Sequence, residues 1–251
     1  MAMDTYGAAD KKKRPTLALF GGAFNPVHRG HMALAAEIEA RLDLQEILFI
    51  PTGHPPHKDF PEISCEERKI MLDLAIGDHP GWRSSDIECR MKGPSYTART
   101  ISALAIDPPP FFLMGEDAFS DFWSWGQPEV IVAGAHLVIV TRPGAEEERT
   151  VEAFFTTLRA AGPFDSVSAE AVVTRVRRGE LEEAVWPLPN FGTTLRFLRI
   201  NAVDISSTDL RKGLSGENRE YWTNLLPDSV KSYIVKRRIY KGFSKKQGEI
   251  S

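Results

Sequence analysis

At 251 residues, with 42% hydrophobic and 26% charged residues, the chain can bury a full core and has the balance of a soluble globular protein. A net charge of −3 excludes a global field that would draw nucleic acid or an anionic membrane, so anion binding must come from a local site. No apolar run approaches the roughly 20 residues needed to cross a bilayer. A basic leader, residues 1–14, ends in Lys11, Lys12, Lys13 and Arg14 and is read as disordered. The apolar run at 16–20 is too short for a secretory signal and leads straight into Gly21 and Gly22, so it is read as a first strand. The two cysteines, Cys65 and Cys89, form no framework of paired spacings, which points to a reducing compartment and hence the cytoplasm.

Along the chain, strand-like runs alternate with helical patterns, the signature of βα units and a parallel sheet. After His31, the four-residue spacing of Leu34, Ile38 and Leu42 predicts an amphipathic helix. A second strand is expected at 46–50, then a loop rich in Pro, Gly and His at 51–61. Ser64 and Glu67 form a capping box for a helix that carries Ile70, Met71, Leu74 and Ala75. A strand at 82–87, a helix at 96–105, and strands at 111–114 and 136–141 follow. Residues 146–161 could be helical, and the stretch up to Pro189 shows no assignable pattern. A strand at 194–200, a short helix after Ser206, Ser207 and Thr208, and a last helix at 228–238 complete the reading. The expectation is an α/β, Rossmann-like, doubly wound parallel sheet. It forms a single domain over 15–240, with an uncertain insertion at 145–189, a C-terminal helical part and a flexible tail at 241–251.

Two places suit phosphate. In the first, Gly21 and Gly22 let the backbone pass close to a bound group, Pro26 sets a turn, and His28, Arg29, Gly30 and His31 open a helix. Two imidazoles three residues apart share one side of the turn, beside the helix's unpartnered N–H groups and positive end. Such a site favours an anion. A zinc site is disfavoured without a Cys or acidic third ligand, and the dinucleotide fingerprint Gly-x-Gly-x-x-Gly is absent. In the second, Ser206, Ser207 and Thr208 begin a helix with Arg211 one turn in, giving hydroxyls, free N–H groups and a guanidinium. Alone, that second motif reads as a helix cap.

Together these residues resemble the nicotinate mononucleotide adenylyltransferase family, in the nucleotidyltransferase group marked by His-x-Gly-His and a late Ser-Thr-x-x-Arg. The likeness extends, in order, through Pro55, Pro56, His57 and Lys58, Arg68 with Met71, Gly93 to Thr97, Gly115 to Asp117, Trp125, and Arg142 to Gly144. It closes with Pro227, Val230, Tyr233 and Ile234. The resemblance implies transfer of AMP from ATP, carried with Mg²⁺, to nicotinate mononucleotide in NAD biosynthesis. It implies catalytic roles for His28, His31 and Arg211, and ATP contacts at Gly21, Gly22, Phe24, Gly30, Asp117, Ser207 and Thr208. The acceptor would meet His57 and Lys58 at its phosphate, and Tyr96, Thr97 and Trp125 around its pyridine ring. No protein-bound metal, nucleic acid or membrane is expected, and a homo-oligomer is compatible with the sequence.

Three positions depart from the family pattern. Asn25 stands where many relatives carry Asp, Arg99 where they often have Asp, and Gly126 where some have a bulkier ring, which would loosen packing. Segment 145–189 is longer than compact members require and is a candidate for oligomerisation or lid motion. Competing readings keep the chemistry on nicotinamide mononucleotide or phosphopantetheine, or make the chain a non-catalytic nucleotide-binding protein. Against a synthetase-like reading of Lys245 and Lys246, which lie after the last helix, a solvated tail is the expectation.

Overall fold

Runs rich in β-branched and aromatic residues, stopped by Gly or Pro, alternate with helices that start on polar caps. The computed structural model describes residues 16–55, 63–141, 147–162, 166–201, 205–216 and 219–240. Strand β1 (Leu17–Gly22) leads to helix α1 (Arg29–Leu42), then β2 (Glu46–Pro51), α2 (Cys65–Ile76), β3 (Trp82–Ser84), α3 (Ile87–Arg90) and α4 (Thr97–Leu104). Next come β4 (Phe111–Gly115), α5 (Glu116–Ser120), a 3-10 turn at Phe122–Ser124, α6 (Pro128–Gly134) and β5 (His136–Thr141). The rest is α7 (Glu147–Ala161), α8 (Ser166–Arg177), β6 (Glu183–Leu188), β7 (Thr193–Arg199), α9 (Ser207–Ser215), α10 (Arg219–Thr223) and α11 (Asp228–Arg237). The chain is an α/β fold on mostly parallel strands, as its βα alternation predicts. The residues group into two compact units, Met1–Gly21 with Ser95–Asn201, and Gly22–Pro94 with Ala202–Ser251.

In the first unit the strand order is β1-β4-β5-β7-β6. All neighbours are parallel except β6, which returns antiparallel along β7. Every residue of β5 is buried, as a strand covered on both faces requires. Segment 145–189 supplies α7, within a residue of the helix read at 146–161, and then α8 and β6 from the stretch with no assignable pattern. Phe154 of α7 is fully buried and meets Trp186 at 4.7 Å and Phe197 at 5.5 Å between ring centroids. The same helix buries Thr150 and Thr157 at 0% exposure. Each hydroxyl has a partner: Thr150 pairs with Ser120 at 2.9 Å, and Thr157 accepts from the Trp123 indole at 3.0 Å. The segment is therefore part of this unit's core.

In the second unit β2 and β3 pair in parallel, with Ile47 opposite Trp82. Helix α2 packs on both strands and against α11. Its N-cap is the expected one, the Ser64 hydroxyl accepting from the Glu67 N–H at 3.2 Å, although the Glu67 carboxylate pairs with Arg237 rather than closing the box. Its inward face is not. Ile70 and Leu74 are 42% and 37% exposed, while Arg68, Met71 and Leu72 are buried. Burying Met71 and Leu72 contributes about 2 kcal/mol each, and the helix is turned so that Arg68 also faces inward. Strand β3 stops at Ser84, short of the predicted 87; there the Ser85 hydroxyl accepts from the Ile87 N–H at 3.2 Å and the chain turns into α3.

Cys65 and Cys89 form a disulfide between the start of α2 and α3, with Cα atoms 5.4 Å apart. The pairing removes the cysteine argument for a reducing compartment. Among the described residues, no helix is long and apolar enough to cross a membrane.

Candidate active site

Strand β1 runs out at Gly22, and the chain turns through residues 23–27 into α1. Phe24 holds a positive φ of 45°, and the Asn25–Pro26 peptide is cis. A bulky residue keeps such a φ only where its surroundings over-determine it. Here the Phe24 ring, 1% exposed, lies edge-on to His31 at 5.0 Å and to Phe49 at 6.0 Å. A Cβ at Gly22 would come within 3.1 Å of that ring, so this glycine makes room for Phe24 as well as shortening the turn. A Cβ at Gly21, in the other unit, would meet only Phe112 at an ordinary 3.8 Å.

His28 is the N-cap of α1, in extended conformation, and His31 is the third residue of the helix. The His28 N–H donates to Nδ1 of His31 at 3.2 Å, so His31 takes the place that Glu fills in the usual capping box. An accepting Nδ1 carries no proton, so a neutral His31 has its proton on Nε2, where it can donate to a phosphate oxygen. The two rings stack at 3.6 Å between centroids. Between them in sequence, Gly30 is buried in the first helical turn. Arg29 ties this end of α1 down, with its Nε on the Asn224 carbonyl and an Nη on Asp228 at 3.2 Å.

The late motif meets the same turn. Ser206 caps α9, its hydroxyl accepting from the Asp209 N–H at 3.3 Å. Arg211 donates from Nη1 to the Asn25 carbonyl at 2.8 Å and from Nη2 to the Thr208 hydroxyl at 3.2 Å. The Ser207 hydroxyl reaches the Pro26 carbonyl at 3.5 Å. Helix α9 is itself seated by Gly213, where any Cβ would run into the Trp222 indole. The two sequence motifs, almost 180 residues apart, are thus joined by direct bonds.

Three residues outside the predicted set complete this arrangement. Arg68, 1% exposed, donates to the Ala23 carbonyl at 2.7 Å and to those of Thr52 and Gly53 at 2.6 and 3.4 Å. Its burial lowers the guanidinium pKa, opposed by nearby Tyr240, Glu66 and Glu88. Glu88 accepts from the Gly53 N–H at 3.3 Å. Tyr240, just beyond α11, donates to Oδ1 of Asn25 at 2.5 Å. Arg68 was among the residues that carried the family resemblance. Neither periodicity nor motif singled out Glu88 or Tyr240.

The remaining predicted residues lie in the other unit or outside the described residues. Asp117 is exposed in the first turn of α5, its carboxylate folded over Gly115 so that a Cβ there would lie 2.5 Å from it. The N-cap of α5 is Gly115, so Asp117 does not fill that role. Tyr96 is the N-cap of α4, 38% exposed, and Thr97 is the first residue of that helix. A Cβ at Gly126 would lie 3.2 Å from the Tyr96 ring, so the missing side chain is filled by Tyr96 rather than leaving packing loose. Trp125 is half-buried against Phe122 at 5.8 Å. His57 and Lys58 fall outside the described residues, as do the leader and tail. The described residues hold no group of three or more His, Cys, Asp or Glu that could cage a metal.

Residues 19–213 match the cytidylyltransferase-like family. Among curated proteins, one from Geotalea daltonii named "Probable nicotinate-nucleotide adenylyltransferase" is 34% identical over 228 residues, covering 89% of this chain and 97% of its own. Proteins of the same name from Geobacter sulfurreducens and Mycobacterium avium are 35% and 32% identical, each over 88% of this chain and over 96% and 90% of their own. In fold, the chain is similar to a Plasmodium falciparum nicotinic acid mononucleotide adenylyltransferase complexed with NaAD. That match has a TM-score of 0.62 at 18% identity, over 90% of this chain and 97% of the other. Both the phosphate motifs and these relatives lead to one conclusion: the chain belongs to the cytidylyltransferase-like family and, within it, to the nicotinate-nucleotide adenylyltransferases.

Proposed function

We propose that the turn at residues 23–31 and the start of α9 together hold the triphosphate of MgATP while its adenylyl group passes to nicotinate mononucleotide. The chain is a nucleotidyltransferase of NAD biosynthesis, the activity its family carries. An oxygen of the acceptor's phosphate attacks the α-phosphorus in line; a new P–O–P linkage forms as the bond to the β-phosphate breaks, and pyrophosphate leaves. No covalent enzyme intermediate is needed, so the protein's part is positioning and charge stabilisation. His28 and His31 would donate to oxygens of the reacting phosphate. Ser207, Thr208 and Arg211 would hold the β- and γ-phosphates, with Gly30 letting the main chain approach. Mg²⁺ enters as part of the substrate, bound to triphosphate oxygens. The observation that carries this reading is the Arg211 bond to the Asn25 carbonyl, which couples the guanidinium to the turn that leads into the histidine pair.

For the acceptor, α4 offers a helix start with no acidic residue in its first turn, and Tyr96 beside it is partly exposed. Main-chain N–H groups at Thr97 suit a pyridine carboxylate, and Tyr96 and Trp125 suit the ring. Asp117 would accept from the nucleotide, and His57 and Lys58 would meet the acceptor phosphate. The cytoplasm, where ATP is abundant, is the proposed compartment.

Pyrophosphate release with MgATP tests the reading against nicotinate mononucleotide, nicotinamide mononucleotide and phosphopantetheine. The expected result is at least a tenfold preference in kcat/KM for the acid. Preference for another acceptor would move the specificity, and turnover with none of them would refute the enzyme reading.

A further inference from the structure

Three side chains from three distant elements hold the turn at residues 23–26. Arg68 of α2 takes the Ala23 carbonyl, Arg211 of α9 takes the Asn25 carbonyl, and Tyr240 takes Oδ1 of Asn25. The two arginines bind main-chain carbonyls. Tyr240 reads the side chain itself. Both partners are deeply buried, Tyr240 at 3% and Asn25 at 2% exposure, and their bond is the shortest of the three at 2.5 Å. Asn25 therefore has its side chain fixed by Tyr240 while its carbonyl fixes Arg211.

We infer that Tyr240 is a positioning residue for the triphosphate, acting through Asn25 to set the guanidinium of Arg211. Its hydroxyl locks the Asn25 side chain. The locked residue then presents its carbonyl at the point where Arg211 needs an acceptor, and that bond sets the direction of the guanidinium. Burial pushes the Tyr240 phenol well above its ordinary range, so it stays a donor throughout the working pH range. The adjacent Arg211 opposes that shift, which places the phenol close enough to feel the cation it positions. Fixing an acceptor through a chain of bonds is how a ring outside the substrate site can govern affinity within it.

The inference rests on the adenylyl-transfer reading, and its test separates the two. Tyr240→Phe removes only the hydroxyl and keeps the buried ring. The variant should raise the KM for MgATP about tenfold while the KM of the acceptor stays within twofold, a split that general loosening would not give. Direct MgATP binding, measured by calorimetry without acceptor, should weaken by a similar factor, so this arm stands even if no acceptor is turned over. In an Asn25→Ala background, removing the hydroxyl should change MgATP affinity less than twofold, because the link is already cut. In Asn25→Asp, which keeps an acceptor oxygen, its removal should again weaken binding. Unchanged MgATP affinity in Tyr240→Phe, an equal loss in the Asn25→Ala background, or a matching rise in acceptor KM would each overturn the inference.

Discussion

Replacing Arg68 with Met should test whether this buried cation holds the turn together or is merely tolerated. The guanidinium makes two short bonds, at 2.7 Å to Ala23 and 2.6 Å to Thr52, and a long one at 3.4 Å to Gly53. A hydrogen bond to a charged group contributes about 1.5–3 kcal/mol net, and deleting the donor also strands its acceptors. Against this stands the desolvation of the cation, the main cause of its lowered pKa, which an apolar Met would relieve. Two short bonds less that relief leave a loss of about 3 kcal/mol. Urea unfolding followed by circular dichroism would show it as a fall in midpoint at constant slope. Turnover should fall as well, because the carbonyls released belong to the turn leading into His28 and to the start of the loop after β2. A change below about 1 kcal/mol would refute the reasoning, because it would mean the carbonyls find water as readily as Arg68.

Three further outcomes are expected. His31→Ala should lower turnover about a hundredfold or more through the lost phosphate donor, with stability falling by about 1 kcal/mol for the lost cap; near-normal pyrophosphate release would remove His31 from the chemistry. His136, buried beside Thr194, has its pKa lowered to about 4 by desolvation and then by Arg196. The unfolded chain binds that proton near pH 6.5 and the folded one does not, so stability is full above 6.5. It should fall by up to about 3 kcal/mol as pH drops towards 4, and His136→Asn should flatten the fall in urea midpoints between pH 7.5 and 5. Reducing the Cys65–Cys89 bond, which closes a span of 24 residues, should cost about 3 kcal/mol on the chain-entropy account; urea melts with and without reductant, alongside thiol titration, would show it, and coincident melts would argue that the bond adds nothing.

The legible parts of the sequence were those set by local rules. Apolar runs bounded by Gly or Pro placed β1, β2, β4 and β5, and Ser64 with Glu67 placed the start of α2. Legibility failed where tertiary partners overrode the local pattern. Helix α2 was read with Ile70 and Leu74 inside, because no periodicity argument places an arginine in a core; the carbonyls at 23, 52 and 53 supply the reason. Helix α7 falls within a residue of the expected 146–161 even though buried Thr150 and Thr157 break its apolar stripe, whereas α8 and β6 come from a stretch with no assignable pattern. The disulfide was missed because 24 residues between cysteines carry no signal until α2 and α3 are folded.

The same logic explains why the candidate site could be named from sequence but not assembled from it. His28 and His31 are visible because they are three residues apart and open a helix. The turn before them makes no strand pairing of its own, and buried carbonyls require donors. Those donors must be long enough to reach in from other elements, which favours Arg and Tyr over Ser or Asn. They lie 45, 186 and 215 residues along the chain from their partners, at Arg68, Arg211 and Tyr240. Only Arg211 sits in a motif with its own chemical reading. The other two spend their polar atoms holding the turn rather than meeting substrate, so a search for reactive residues passes over them. Arg68 can hold main chain whatever residue stands at 25. Tyr240 cannot, and it is at the Asn25–Tyr240 pair that a single side-chain exchange would be felt by the triphosphate.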